Sequence, residues 1–214
     1  MSRLSALIQQ YAPDGVKRVK LGDVVQVVRG ASPRPISNFI TDDRNGINWI
    51  KIGDVDTGVK YITHTAEKIT TQGAEKSRLL KKGDFILSNS MSFGRPYILA
   101  IDGCIHDGWI AMSGFESNYN PDFLYHLLSS SGIQQYWRQS VPIGTIQNLN
   151  SEIVRSTPIP LPSLEEQARI VGILDRFDVL TNDLTQGLPA EIAARRKQYE
   201  YYRDKLLTFE EAIS

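Results

Sequence analysis

The chain has 214 residues, of which 41% are hydrophobic and 22% are charged. This composition is that of an ordinary globular protein, and it excludes a mainly disordered chain, a collagen-like chain and a small disulfide-stapled domain. The single cysteine, Cys104, has no intramolecular disulfide partner, which is typical of a reducing compartment. The first eleven residues lack the apolar centre of a secretory signal, and no apolar run reaches the roughly 18 residues of a membrane span. We therefore expect a cytoplasmic protein with no membrane partner.

Lysine plus arginine and aspartate plus glutamate cancel over the whole chain at 24 each, but their distribution is uneven. Residues 1–100 carry 15 basic and 9 acidic side chains, whereas residues 101–214 carry 9 and 15. The positive excess predicts a surface for a polyanion such as DNA in the first half of the chain. The alternative is that these charges only solvate exposed faces, and both interpretations stay open at this point.

The predicted elements begin with a short helix at 2–11, which Pro13 ends. Short apolar runs rich in β-branched residues then predict strands. These runs are 24–28, 47–52, 85–87, 97–101 and 109–112. Residues 30–46 contain two prolines and no periodicity, which predicts a long functional loop. Helices are predicted at 121–131 and 133–140, so the expected fold is α+β, with a small mixed β-sheet and helices.

Alternating prolines at 158, 160 and 162 predict an extended segment at the end of this part of the chain. A capping box formed by Ser163 and Glu166 then predicts the start of a helix. Apolar residues follow along two helices at coiled-coil spacing and are the predicted dimer or partner interface. They are Ile170, Ile173, Phe177, Leu180, Leu184, Ile192, Tyr199, Tyr202, Leu206 and Phe209. We therefore expect one domain at 1–160 and long C-terminal coiled-coil-type helices at 161–214, arranged as a hairpin or as a kinked rod.

Signals for catalysis are weak. The segment GDVDTGVK at 53–60 spaces its glycines like a phosphate-binding loop but has Val59 where that loop needs lysine. NPDF at 120–123 differs by one residue from the motif with which amino-methyltransferases hold an extruded adenine. No G-x-G-x-x-G cofactor loop accompanies it, and Pro121 in the first turn of a helix explains it better. Zinc-ligand spacings and a G-x-S-x-G elbow are also missing, so we expect a binding module with no catalytic residue and no metal.

Several segments together resemble the specificity subunits of type I restriction-modification systems. The most specific are the proline-rich segment that leads into LEEQARIVGILD and the closing QYEYYRDKLLTF. The others are LGDV (21–24), GASP (30–33), WIKIGDV (49–55), EKIT (67–70), KKGDFILSNSMSFGRP (81–96) and GTIQNLN (144–150). These segments span nearly the whole chain and are too long to agree by chance.

The resemblance implies a non-catalytic subunit whose target recognition domain reads one half of a split DNA target. It also implies that the helices act as a spacer and dock adenine-N6 methyltransferase subunits, which use S-adenosylmethionine. A restriction subunit that uses ATP and Mg²⁺ joins them, and this chain itself is expected to bind no cofactor. The family's usual subunit is similar to this chain written twice, so a single copy predicts a homodimer on an interrupted palindrome. A helix over 164–186 would span roughly 35 Å, which predicts half-sites about ten base pairs apart.

Polar side chains of the basic half and of the 144–150 segment are candidates for DNA contacts, because Arg pairs with guanine and Asn or Gln with adenine. The candidates are Ser32, Arg34, Asn38, Lys76, Arg78, Asn89, Ser90, Ser92, Arg95, Thr145, Gln147 and Asn148. For each of them a solvated or turn-forming role is the alternative. Two other functions also stay open. One is a helical adaptor that binds protein or small ligands rather than DNA, and the other is a compact nuclease or methyltransferase without a visible motif.

Overall fold

The computed structural model describes residues 15–55, 58–89, 92–142, 148–182 and 189–209, without the side chains of 177–182 and 189–192. The predicted helix at 2–11 lies outside these ranges.

By contact, the described residues form two compact units. The helical unit comprises 15–20, 116–136 and 158–209, and the sheet unit comprises 21–115 and 137–157. The compact units thus divide the chain at other points than residue 160, because segments before that residue pack with the C-terminal helices. The assignment of DNA binding to residues 1–160 and of dimerisation to 161–214 stays a prediction.

Short strands dominate the sheet unit, and the longest helices lie near the C-terminal end. The strands of the described residues are β1 (Arg18–Lys20), β2 (Gln26–Arg29), β3 (Ile40–Thr41), β4 (Ile47–Ile50), β5 (Tyr61–Ile62), β6 (Glu67–Ile69), β7 (Arg78–Leu80), β8 (Phe85–Ser88), β9 (Pro96–Leu99), β10 (Gly103–Ile105), β11 (Trp109–Ser113) and β12 (Pro158–Pro160). The helices are α1 (Leu21–Val24), α2 (Thr71–Glu75), α3 (Pro121–Leu128), α4 (Ser131–Ser140), α5 (Ser151–Ser156), α6 (Leu164–Asn182) and α7 (Pro189–Leu206). None of these helices is long and apolar enough to cross a membrane.

The sheet unit contains two five-stranded mixed sheets. The first has the strand order β2-β11-β8-β9-β5, in which β5 and β9 are parallel. The second has the order β3-β6-β4-β10-β7, in which β4 and β10 are parallel. The α+β class is confirmed, whereas the expectation of one small sheet is corrected to two. Strands of two or three residues, such as β3, β5 and β7, carry too few apolar residues for periodicity to indicate them.

The two sheets share a hydrophobic core. Its buried members come from both sheets and are Ile50, Ile62, Leu80, Ile86, Tyr97, Leu99, Ile105, Trp109 and Ala111. The Trp109 indole N–H donates to the Ile50 carbonyl at 3.1 Å, which joins a strand of each sheet. Every residue of β8 and β9 is buried, and such strands appear in a sequence as continuous apolar runs.

Helices α1 and α5 pack together beside β2. The Leu21 N–H donates to the Thr157 carbonyl at 2.9 Å, and the Arg155 guanidinium donates to the Val27 carbonyl at 2.7 Å. A Cβ on Gly22 would lie 2.8 Å from the Cβ of Arg155, so this close approach requires glycine. The strand predicted from residue 24 is therefore corrected, because Val24 ends a helix that distant residues hold in place and β2 begins two residues later.

Two local predictions for the helical unit are confirmed. Asn120 caps α3 by accepting from the backbone N–H groups of Asp122 at 2.9 Å and Phe123 at 3.2 Å, so NPDF is a helix start. At the start of α6 the Ser163 N–H donates to the Glu166 carboxylate and the Glu166 N–H to the Ser163 hydroxyl, which is the predicted capping box. The proline segment is extended and pairs antiparallel with β1 through β12.

Helices α6 and α7 form an antiparallel hairpin. The first turns of α6 contact the start of α3, because the Gln167 side chain bonds to the backbone of 118 and 120. Near the end of α7, the Asp204 carboxylate accepts from the Ser131 N–H at 3.2 Å. Since both of these ends lie against the 118–131 segment and the two helices contact each other, α6 and α7 run antiparallel. Coiled-coil packing of this hairpin stays a prediction.

Part of the predicted interface is interior in the single chain. Ile170, Leu206 and Phe209 expose 2%, 1% and 6% of their surface. On α6, Val171 and Leu174 are buried as well, so the inward face is shifted from the predicted seam. These three residues are therefore corrected from dimer contacts to core residues. Ile173, Tyr199 and Tyr202 are half-buried, and the side chains of Phe177, Leu180, Leu184 and Ile192 lie outside the described residues.

Candidate nucleic-acid interface

Predicted DNA-binding residues from separate loops of the sheet unit meet at Asp107, which follows β10. The Asp107 carboxylate accepts hydrogen bonds from the Ser32 hydroxyl at 2.9 Å and from the Arg34 guanidinium at 3.2 Å. Its backbone carbonyl accepts from Arg29 Nε and from the Asn89 amide, both at 3.2 Å. One aspartate thus orients three of the predicted residues.

Strand pairing brings the 30–35 segment to this point. β2 pairs with β11, and just beyond the ladder the Gly30 N–H donates to the Trp109 carbonyl at 2.9 Å. A Cβ on Gly30 would lie 2.0 Å from the His106 carbonyl oxygen, so only glycine fits here. The predicted long loop at 30–46 is irregular apart from β3 and one 3-10 turn.

The turn between α2 and β7 borders the same segment. The Ser77 hydroxyl donates to the Ala31 carbonyl at 2.7 Å. The predicted residues Lys76 and Arg78 flank Ser77, and both are exposed. The Lys76 ammonium lies 4.7 Å from the centroid of the Phe39 ring, a cation–π distance that ties α2 to the loop.

The connection between β8 and β9 and the segment before α5 reach the same region. The Asn89 N–H donates to the Gly108 carbonyl at 3.1 Å, and the Leu149 N–H donates to the Asn89 carbonyl at 2.7 Å. The Arg95 guanidinium lies 5.6 Å from the centroid of the Tyr97 ring. The predicted residues Ser90, Thr145 and Gln147 lie outside the described residues.

Exposure separates the candidates by role. Asn89 is only 6% exposed and its amide is bonded to the Asp107 carbonyl, so its side chain positions the loop instead of facing solvent. Ser32 and Arg95 are half-buried. The exposed candidates are Arg34, Asn38, Lys76, Arg78, Ser92 and Asn148.

An open cleft of about 510 Å³ lies beside Asp107. Its lining includes Arg34 and Lys51 as cations and the rings of Trp49 and His106. Cations, a carboxylate and an aromatic wall are groups that contact phosphate oxygens and base edges. Among the described residues no cluster of His, Cys, Asp or Glu is arranged to hold a metal ion.

The two ionisable groups at the centre of the cleft have shifted pKa values of different origin. The hydrogen bond from Ser32 is the main cause that lowers the pKa of Asp107, so this carboxylate is ionised at neutral pH. Burial lowers the pKa of His106, and the carboxylates of Asp107 and Asp54 oppose that shift only in part. The cleft therefore presents one fixed anion beside a neutral imidazole.

Sequence reasoning did not place Asp107, Arg29 or His106 among the candidate DNA contacts. The only local signal is an Asp-Gly pair, which indicates a turn between two apolar runs. Nothing in the sequence relates Asp107 to Ser32, which lies 75 positions earlier. Ser32 follows β2 and Asp107 precedes β11, so these two residues meet because the two strands pair. Knowledge of the strand order would therefore have found the site.

Comparison with known proteins gives consistent matches. Residues 13–194 match the family model described as type I restriction modification DNA specificity domain. The specificity subunit of the Escherichia coli type I restriction enzyme EcoR124I/EcoR124II is 46% identical over 88% of this chain and 47% of its own length. A putative type I restriction enzyme specificity subunit from Haemophilus influenzae is 34% identical over 90% of this chain and 48% of its own length.

The fold is that of a solved relative. The crystal structure of the HsdS subunit from Thermoanaerobacter tengcongensis matches with a TM-score of 0.63 at 20% identity, over 95% of this chain and 50% of that one. The chain thus spans about half the length of the relatives that it matches. Because the family model covers most of the sequence, the chain belongs to the family of type I restriction-modification DNA specificity domains.

Proposed function

We propose that this chain is a non-catalytic specificity subunit that recognises one half of a bipartite DNA target. The observation that carries the proposal is the convergence, around Asp107, of the loops that bear Arg34, Lys76 and Arg78. Arginine and lysine bind phosphate oxygens, and arginine also grips guanine through two hydrogen bonds. Polar loops held by two packed sheets provide the fixed geometry that base readout needs.

In this proposal the attraction to phosphates is local. The sheet unit contains 13 Lys or Arg and 11 Asp or Glu, a net charge of only +2. The larger positive charge of residues 1–100 is therefore not the charge of the folded sheet unit. The converging loops are richer in cations than the unit as a whole, and their basic side chains are Arg29, Arg34, Lys76, Arg78 and Arg95.

The helical unit is proposed to act as a spacer and as the dock for adenine-N6 methyltransferase subunits. The support is the resemblance of its two long helices to the helical segments of the family. S-adenosylmethionine, ATP and Mg²⁺ are then used by the methyltransferase and restriction subunits, and this chain binds none of them. The proposal also includes a homodimer, in which a second copy of the chain supplies the second recognition domain.

Binding of duplex DNA by the full chain, alone and with its methyltransferase subunits, tests the proposal by fluorescence anisotropy. Affinity is expected to fall steeply with rising salt, because binding releases counterions from the phosphates. Arg34→Ala is expected to cost roughly 1 to 3 kcal/mol, in a target-dependent way if Arg34 reads a base. Arg95→Ala tests the β8–β9 connection in the same assay. Unchanged affinity in both variants would contradict this placement of the DNA-binding face.

The other two functions predict different results. A helical adaptor would bind a protein or a small ligand, without a steep dependence of affinity on salt. An enzyme would methylate, cleave or hydrolyse without partners. Adenine methylation, DNA cleavage or ATP hydrolysis by the purified chain, supplied with S-adenosylmethionine, Mg²⁺ and ATP, would contradict the non-catalytic assignment.

A further inference from the structure

We infer that Asp107 is a positioning residue for sequence readout, which holds the Arg34 guanidinium in the orientation that contacts a guanine. The inference rests on the proposed DNA-binding function and deepens it. Asp107 lies between β10 and β11, and both its side chain and its backbone bond to the loops proposed to face DNA.

The Asp107 carboxylate is itself fixed before it holds Arg34. Ser32 and Asp107 bond reciprocally, since the Ser32 hydroxyl donates to Oδ1 at 2.9 Å and the Asp107 N–H donates to Ser32 Oγ at 3.3 Å. The Asp107 carbonyl accepts from Arg29 and from the buried Asn89 amide. The second carboxylate oxygen, Oδ2, is directed to Arg34 and accepts from Nη2 at 3.2 Å.

Arg34 is held at one nitrogen and is otherwise open to solvent. Its side chain is 82% exposed, and a guanidinium has five N–H donors, of which a bidentate contact to guanine uses two. A freely rotating arginine loses side-chain entropy on binding, and a buttressing carboxylate reduces that loss. Such an exposed pair adds little to folding stability, so its main effect is on orientation.

The charge of Asp107 gives the inference a distinctive signature. A carboxylate beside a DNA surface repels phosphates, so its removal should strengthen binding to random duplex. The same removal frees Arg34 and should weaken discrimination at one base pair. Replacement of a residue that only supported the fold would lower both the affinity for random duplex and the discrimination at that base pair.

The test uses Asp107→Asn in the full chain with its methyltransferase subunits. Targets are first selected from a randomised duplex library by the wild-type complex, and affinities are then measured for the target, for each single-base variant and for random duplex. Discrimination at one G·C pair is expected to fall about tenfold, within the range that a bidentate contact supplies. Arg34→Ala should lose discrimination at the same pair, and the double variant should lose no more than Arg34→Ala alone.

Asp102→Asn is the matched control. Asp102 precedes β10 as Asp107 follows it, and it pairs with the exposed Lys81 at 2.8 Å. This variant should leave discrimination unchanged. Ser32→Ala removes the hydroxyl that fixes the Asp107 carboxylate, so it should reproduce part of the loss of discrimination at the same base pair. If Asp107→Asn lowers the urea midpoint of unfolding, Ser32→Ala takes its place in the test.

The inference is overturned if discrimination is unchanged at every position, or if specific and random affinities fall together. It is also overturned if Asp107→Asn alters a base pair other than the one that Arg34→Ala alters, since Asp107 would then read a base itself. A wild-type complex that selects no sequence at all would instead count against the proposed function.

Discussion

His106 is held in its neutral form by the backbone around it. The Gly108 N–H donates to Nδ1 at 2.7 Å, and the Ile52 N–H lies 3.2 Å from Nε2. A neutral imidazole accepts at one ring nitrogen, here Nδ1 by the shorter distance, whereas a protonated imidazole has no acceptor and would lose that hydrogen bond. A Cβ on Gly108 would lie 2.2 Å from the ring, so the glycine is needed to admit the imidazole. The hydrogen bond from Gly108 therefore favours the neutral form of His106.

We expect the stability of the protein to fall as the pH drops below 6.5, in part through His106. The ordinary pKa of this imidazole is 6.5, and burial lowers the pKa in the folded chain. The unfolded chain therefore binds more protons below that pH, so the stability that neutral His106 contributes is present above pH 6.5 and is lost as the pH falls towards the folded pKa.

Urea denaturation over a series of pH values measures this effect. His106→Gln should show a flatter pH dependence of the unfolding free energy than the wild type. His64→Gln, which removes a histidine at an exposed position, is the matched control. Equal slopes for His106→Gln and the wild type would show that His106 does not titrate as expected.

At the scale of elements, one buried glutamine joins α6 to α3. Gln167 is fully buried, and its Oε1 accepts from the Asn120 N–H at 2.8 Å. Its Nε2 donates to the carbonyls of Asn118 at 2.8 Å and Pro162 at 2.9 Å. Three backbone groups at the start of two helices are satisfied by one amide, which explains the glutamine in the LEEQ segment.

Gln167→Ala is expected to lower the free energy of unfolding by about 3 kcal/mol, because each buried backbone group left without a partner costs roughly 1 to 3 kcal/mol. Gln198→Ala on the exposed face of α7 is the control and should change stability by less than about 0.5 kcal/mol. Urea denaturation measures both. A loss below about 1 kcal/mol for Gln167→Ala would mean that water replaces the amide without penalty.

At the scale of the whole molecule, three residues of the predicted seam are unavailable to the proposed homodimer. Ile170, Leu206 and Phe209 are already covered within the chain. On the described helices, Leu164 and Tyr201 are large apolar side chains with 47% and 57% of their surface exposed. We therefore expect the two-fold contact to include these residues together with the half-buried Ile173 and Tyr202.

Sedimentation is expected to show a dimer at micromolar concentration, and Tyr201→Asp should shift it towards monomer because the contact would bury a charge. Tyr61→Asp, at an exposed tyrosine of the sheet unit, should leave the dimer intact. A wild-type monomer would contradict the prediction.

Sequencing of methylated host DNA tests the symmetry of the target. Two identical recognition units related by a two-fold axis read identical half-sites, so the target should be an interrupted palindrome. The 19 described residues of α6 span about 28 Å at 1.5 Å each, against the roughly 35 Å predicted for 164–186, so the half-site spacing of about ten base pairs stays a prediction. A methylated target with unlike halves would contradict the homodimer.

The sequence by itself determined the features that act within a few residues. The N-terminal start of α3 at NPDF, the capping box of α6, the extended proline segment and the buried runs of β8 and β9 follow from local backbone chemistry and from periodicity. The family resemblance also follows from contiguous segments, and the match over residues 13–194 confirms it.

Only the tertiary structure decided the rest. It placed Val24 in a helix, moved Ile170 from a predicted interface into the core, and made Asp107 the centre of the candidate site. Each of these outcomes depends on partners far along the chain, such as Ser32 at 75 positions from Asp107. A local pattern describes what a segment favours, but the strand order and helix packing of the whole fold decide which segments meet, and these contacts override the local preference.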